Sequence, residues 1–117
     1  MTSEKKKRRK CAGKKRWGQH FLADTNLLKK LVELISPTSD DSILEIGPGG
    51  GALTELLAPK VEHLVGIEID RELYEELNER KDLTNCKFIN RDFLKVDLGE
   101  IPFMTGQVRV VSNLPYN

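Results

Sequence analysis

The sequence predicts an α/β fold built on a parallel sheet. Three observations carry that prediction. Short apolar runs alternate with amphipathic stretches, a glycine-rich loop follows the first apolar run, and carboxylates stand at the ends of the next two runs. Strands alternating with helices mark right-handed βαβ units. The chain has 117 residues, enough for one domain and one core.

Asp24 or Thr25 caps a predicted helix that runs to about Ile35. Leu27, Leu28, Leu31, Val32, Leu34 and Ile35 recur at spacings of three and four and give it one apolar face. Pro37 follows its end. Ile43–Ile46 is a short apolar run that stops at glycines, which reads as a buried strand entering a loop. Ala52 to Ala58 suits a helix stopped by Pro59. His63 to Ile69 reads as a second strand, and Arg71 to Arg80 as a helix with Leu73, Tyr74 and Leu77 on one side. Cys86 to Ile89 and Val108 to Val111 read as a third and a fourth strand. There is no internal repeat.

The formal net charge of +1 conceals an asymmetry. Residues 1–16 carry nine Lys/Arg (Lys5, Lys6, Lys7, Arg8, Arg9, Lys10, Lys14, Lys15 and Arg16) against the single acid Glu4. Residues 17–117 carry ten basic and seventeen acidic residues. A basic leader on an acidic body suggests contact with nucleic acid or a membrane surface. We expect residues 1–13 to be a disordered basic tail and 14–117 to hold the folded part. The basic residues are RNA-binding candidates against the plainer reading of a solvated tail, and Lys5–Lys10 also resembles a nuclear-import signal. No apolar run approaches the length of a membrane span. Lys14, Lys15 and Arg16 interrupt any secretory signal. Cys11 and Cys86 stand far apart without CxxC spacing, which speaks against a disulfide framework or zinc site and for reduced thiols in the cytoplasm.

Four segments carry chemistry. In Glu45–Leu53 (EIGPGGGAL), glycines between a strand and a helix permit tight turning and close approach to a ligand. Gly47-x-Gly49-x-x-Ala52 satisfies the Gly/Ala form of the dinucleotide fingerprint, so the loop points to a nucleotide-like cofactor without saying which. Glu68 and Asp70 end the second strand, about twenty residues on, where a carboxylate can accept from ribose hydroxyls. The two share parity, so alternation does not choose between them. Asp70 also suits the cap of the next helix, and we assign Glu68 to the ribose. In Asn90-Arg91-Asp92-Phe93, Asp92 either accepts from an adenine amine or caps a turn, and Phe93 can flank the ring. In Asn113-Leu114-Pro115-Tyr116, the proline fixes the backbone. The Asn side chain and a neighbouring carbonyl can then aim two acceptors at an exocyclic amine, while Tyr116 offers a face to an extruded base.

Taken in order, Glu45–Leu53, Glu68, Asp92 and Asn113–Tyr116 resemble the S-adenosylmethionine-dependent amino-methyltransferases. Arg16-Trp17-Gly18-Gln19-His20-Phe21-Leu22 narrows the resemblance to the ribosomal RNA adenine N6,N6-dimethyltransferases of the KsgA type, with their "GQxFL" segment; the macrolide-resistance Erm methylases are related. The resemblance covers about residues 14–117. It implies a Rossmann-like S-adenosylmethionine-dependent methyltransferase fold with a parallel sheet, truncated after the fourth strand. The chain then reads as the N-terminal part of a longer enzyme, not competent alone.

The same resemblance implies roles for residues. Gln19, His20 and Leu22 would fold over the cofactor, with Asn common in the family where this chain has His20. Trp17 also departs from the family pattern and suits packing. Gly47, Gly49 and Gly51 would line the methionine and ribose, Glu68 the ribose hydroxyls, and Asp92 with Phe93 the adenine. Asn113, Leu114, Pro115 and Tyr116 would form the catalytic tetrapeptide, Asn113 also lying beside the cofactor. The implied reaction is methyl transfer to adenine N6, twice per base, without a metal. The implied partner is ribosomal RNA in the small-subunit particle. The alternatives are an RNA-binding ribosome-assembly factor that keeps the fold, a macrolide-resistance large-subunit rRNA methylase, and a dinucleotide-dependent oxidoreductase. An exposed edge on the last strand would invite pairing with another copy.

Overall fold

The computed structural model describes residues 24–103 and 107–112. Helix α1, Thr25–Ile35, is capped by Asp24, whose Oδ1 accepts from the Leu27 N–H at 3.1 Å. It ends at Ser36, in the left-handed region at φ 49°, whose N–H reaches the Val32 carbonyl. Strand β1 is Ser42–Ile46, and helix α2 is Ala52–Leu57, followed by a 3₁₀ turn at Ala58–Lys60. Strand β2 is His63–Ile67, helix α3 Arg71–Asn78 and strand β3 Cys86–Ile89. Two 3₁₀ turns, Phe93–Lys95 and Leu98–Glu100, lead towards strand β4, Val108–Ser112.

All pairings are parallel and the strand order is β3-β2-β1-β4. The chain steps outward from β1 through β2 to β3, then returns to the other side of β1. That reversal is the switch point at which open α/β sheets form a ligand crevice beyond the carboxyl ends of their strands. The crevice lies between β1 and β4, which are in register from Ser42 opposite Val108 to Ile46 opposite Ser112.

Alternation along the strands divides the core. Ile43 and Leu64 face one side, where Leu28 and Val32 of α1, Leu53 and Leu57 of α2, and Val61 pack on them. Leu44, Val65 and Ile67 face the other, covered by Ile101 with Ile89, Phe93 and Val96. Leu77 of α3 joins Ala58, Leu83 and Phe88 in a third cluster. Removing a side chain such as Leu57 or Leu64 from water contributes about 1.5–3 kcal/mol. Every residue of β1 is buried, as the central strand of a covered sheet must be.

β1 begins one residue before the predicted run, at Ser42, β4 runs one residue further, to Ser112, and three elements end early. The second strand stops at Ile67, not Ile69, because the Glu68 carboxylate takes the Asp70 N–H at 2.9 Å and turns the chain out of the sheet. The helix after it ends at Asn78, not Arg80; the Glu79 and Arg80 N–H groups close tight i−3 turns on Glu76 and Leu77. The helix expected to reach Ala58 ends at Leu57, and Pro59 is absorbed in the 3₁₀ turn.

Candidate functional site

The carboxyl ends of β1 and β2 hold a loop with an unusual backbone. Gly47, Gly49 and Gly51 have φ of 73°, 61° and 90°, a region that side chains other than glycine rarely adopt. The Gly47 N–H continues the sheet by donating to the Ile67 carbonyl at 2.9 Å, and the Gly51 N–H turns back to the Pro48 carbonyl at 2.9 Å. The three glycines serve different ends. A Cβ on Gly49 would meet only the Gly47 carbonyl oxygen, at 4.0 Å, and one on Gly50 would meet nothing within 4 Å. That part of the loop presents open space. A Cβ on Gly51 would press on Leu77 Cδ2 at 3.1 Å and Arg80 Nη1 at 3.3 Å. Gly51 therefore admits α3 to the loop, a packing duty beside the ligand-lining role expected of it.

Glu68 is the brace of this loop. It is 1% exposed, its Oε1 accepts from the Gly49 N–H at 2.8 Å and its Oε2 from the Asp70 N–H at 2.9 Å. Asp70 caps α3, its Oδ1 accepting from the Leu73 N–H at 3.1 Å. The helix cap assigned to Asp70 from sequence is present, and Glu68, assigned there to the ribose, turns its carboxylate to the glycine loop. Asn90 supports the same turn, its Nδ2 donating to the Glu68 carbonyl at 2.9 Å and the Ile69 carbonyl at 3.2 Å. Asp92 follows at the end of β3 and caps the first 3₁₀ turn by accepting from the Leu94 N–H at 3.0 Å. Of its two sequence readings the cap is present, and its other oxygen keeps acceptor capacity. Phe93 packs against the core cluster on the β1–β2 face.

Beneath the loop lies a second acid. Glu45, on β1, is fully buried, and its Oε1 accepts from the Thr54 hydroxyl at 2.6 Å. Its Oε2 is buried with no hydrogen-bond partner among the described residues. Burial pushes the Glu45 carboxyl up to about 7; the Thr54 hydrogen bond opposes that shift and the charge of Glu68 adds to it.

Sequence reasoning missed Thr54, Gly66 and Arg80. A Cβ on Gly66 would lie 2.8 Å and 3.0 Å from the Phe88 ring and 3.0 Å from Pro48 Cγ, so this glycine lets the loop's proline settle on β2. A lone glycine inside an apolar strand was the available signal. Arg80 joins α3 to α2 through Glu55 at 2.8 Å and also pairs with Asp82 at 2.6 Å. Its position at a helix end gave no such hint.

Gln19, His20, Leu22, the basic residues of the tail and Asn113–Tyr116 lie outside the described residues. Ser112, which precedes Asn113, stands opposite Ile46, which precedes Gly47. Among the described residues no group of three His, Cys, Asp or Glu side chains could hold a metal ion. Nor is any helix among them long and apolar enough to cross a membrane.

Comparison with known proteins bears on this arrangement. The sequence model of the ribosomal RNA adenine dimethylase family matches residues 11–117. Ribosomal RNA small subunit methyltransferase A of Caldanaerobacter subterraneus is 48% identical over 107 residues, covering 88% of this chain and 40% of that protein. The protein of the same name from Leptothrix cholodnii is 44% identical over 105 residues, covering 89% of this chain and 38% of its own length. The chain thus spans about two fifths of the curated relatives it matches. Among solved structures, a dimethyladenosine transferase from Plasmodium falciparum superposes with a TM-score of 0.67 at 27% identity, over 80% of this chain and 33% of that one. The 23S rRNA methyltransferase ErmE superposes with a TM-score of 0.69 at 29% identity, over 80% of this chain and 37% of its own. The four parallel strands are the corresponding part of a Rossmann-like methyltransferase fold, and the chain belongs to the ribosomal RNA adenine dimethylase family.

Proposed function

We propose that the protein transfers methyl groups from S-adenosylmethionine to N6 of adenine in small-subunit ribosomal RNA. The observation that carries this reading is the glycine loop at the β1/β4 switch point, braced by a buried carboxylate, on a chain of this family. The residues present fit a nucleoside cofactor. Gly49 and Gly50 leave room above the loop, and Glu68 and Asp92 supply acceptors at the ends of β2 and β3. In this reading Gly47 and Gly49 line the methionine and ribose, Glu68 takes the ribose hydroxyls, and Asp92 with Phe93 takes the adenine. Gln19, His20 and Leu22 complete the cover.

The bound cofactor supplies a methyl group activated by its sulfonium. What the chain must do is hold the target amine in line with it. Asn113 and the Leu114 carbonyl accept from the N6 amine, Pro115 fixes their backbone, and Tyr116 stacks on the target base. The methylated amine is acidic enough to lose its proton to water, so proximity and alignment carry the rate. A leaving group already activated by charge calls for no metal. We read residues 1–13 as a basic tail and 14–117 as the start of the methyltransferase domain. Lys5–Lys10, Lys14, Lys15 and Arg16 meet RNA phosphates in a salt-sensitive contact, and the protein works in the cytoplasm.

The test is isothermal titration of S-adenosylhomocysteine into the protein that carries this chain, with methylation of small-subunit particles measured alongside. We expect binding, and in Asn113→Ala a fall in kcat larger than the rise in KM. Absence of cofactor binding would contradict the reading. Retained ribosome assembly in an Asn113→Ala protein that no longer methylates would favour an assembly factor, the second reading that the basic run supports. Along β4, Val108 and Val110 are exposed and the outer edge carries no strand partner among the described residues. This supports pairing of two copies through that edge, which concentration-dependent sedimentation tests.

A further inference from the structure

Two buried acids stand within one turn of the glycine loop, and they are held differently. Glu68 accepts two backbone N–H bonds, from Gly49 and Asp70. Glu45 accepts one bond, from the Thr54 hydroxyl, and its second oxygen is sealed off without a partner among the described residues. An ionised carboxylate left so is far more costly than a protonated one. The groups that act on Glu45 are Thr54 from α2 and Glu68 beyond β2. Across the sheet the Cys86 thiol of β3 feels its charge in turn. None of these is a cation.

We propose that Glu45 is a positioning residue that works as a neutral acid. Its bond to Thr54 pins α2 beneath the glycine loop, and its proton keeps an unpaired buried charge from beneath that loop. Thr54 lies three residues past Gly51, and the Glu55 N–H returns to the Gly51 carbonyl at 2.9 Å. Fixing Thr54 therefore fixes the turn from which Gly47–Gly51 project. The inference deepens the cofactor reading above and rests on it only for the ligand.

The test uses the 117-residue chain labelled with ¹³C and ¹⁵N. The Glu45 carboxyl resonance, assigned by its absence in Glu45→Gln, should remain that of a protonated acid well above the ordinary carboxylate range and titrate near neutrality. The Gly47, Gly49 and Gly51 amides should shift with the same midpoint, and lose that transition in Glu45→Gln. Because Gln is neutral and of the same shape, Glu45→Gln should bind S-adenosylhomocysteine within about threefold of the native chain. Thr54→Val, which removes the anchor and keeps the volume, should bind at least about tenfold more weakly. Titration of Glu45 in the ordinary range, or glycine amides that titrate alike in Glu45→Gln, would overturn the inference. A near-neutral Glu45 transition shared by the glycine amides, in a chain that binds no S-adenosylhomocysteine, would support the proton assignment and count against the cofactor reading instead.

Discussion

The two ends of β1 treat buried charge in opposite ways. At its amino end Asp41 is almost fully buried, and its carboxylate is paired. Its Oδ2 accepts from the Thr38 N–H at 2.8 Å and from Arg109 of β4 at 3.1 Å. The same guanidinium caps the end of α1, donating to the Ser36 carbonyl at 3.2 Å and also to that of Ile35. The Thr38 hydrogen bond first, and then Arg109, hold the Asp41 carboxyl below the usual carboxylate range. At the carboxyl end Glu45 is just as buried, no cation among the described residues acts on it, and its pKa goes the other way. One end is organised for stability. The other keeps positive-φ glycines and an acid oxygen unpaired among the described residues, features that suit a binding site.

The largest effect should come where the two demands meet. Gly66→Ala puts a methyl group within 3.0 Å of Phe88 and Pro48, so it overpacks the sheet and lifts the loop together. We expect a loss of about 1–3 kcal/mol in urea unfolding and loss of cofactor binding; stability unchanged would break the account of Gly66. Arg109→Met should act at one end only. It leaves Asp41 buried without its cation and the carbonyls of Ile35 and Ser36 uncapped. Tm should fall by several degrees while cofactor affinity in the folded protein stays put; a selective loss of affinity would erase the distinction between the ends.

The pH dependence of stability separates them further. Glu45 binds its proton more tightly folded than unfolded. Its contribution is therefore full below the ordinary carboxylate value and is lost as pH rises through about 7. Asp41 is depressed, so its contribution is present above the unfolded value of 3.8 and lost as pH falls through its lower folded value. Chemical denaturation across pH should lose the neutral slope in Glu45→Gln and the acid slope in Asp41→Asn. The smallest effect is expected at Leu34. It is 81% exposed despite matching the apolar face of α1, and Leu34→Lys should change stability by no more than about 0.5 kcal/mol.

Leu34 also shows what the sequence could and could not reveal. Spacing of three and four found α1, but its apolar stripe was read too wide: Leu28 and Val32 are buried, Leu31 and Ile35 partly so, and Leu34 is out. The strands, their parallel pairing and the loop were legible because short apolar runs, their alternation with amphipathic stretches and glycine punctuation are local signals. Glu68 and Asp70 were separable only by their bonds, since both have the same parity. Gly66, Thr54 and Arg80 act through partners 22, 9 and 25 residues away (Phe88, Glu45 and Glu55), and no local pattern encodes a pairing at such range.

The central claim is that the carboxyl end of the sheet, not the Asp41–Arg109 end, takes S-adenosylmethionine. The most direct measurement is a ¹⁵N amide titration of the 117-residue chain with S-adenosylhomocysteine, which registers even weak binding residue by residue. The account predicts saturable shifts at Gly47, Gly49, Glu68 and Asp92, with Thr38, Asp41 and Arg109 unmoved. Shifts centred on Asp41 and Arg109, or none at the glycine loop at any concentration, would contradict it.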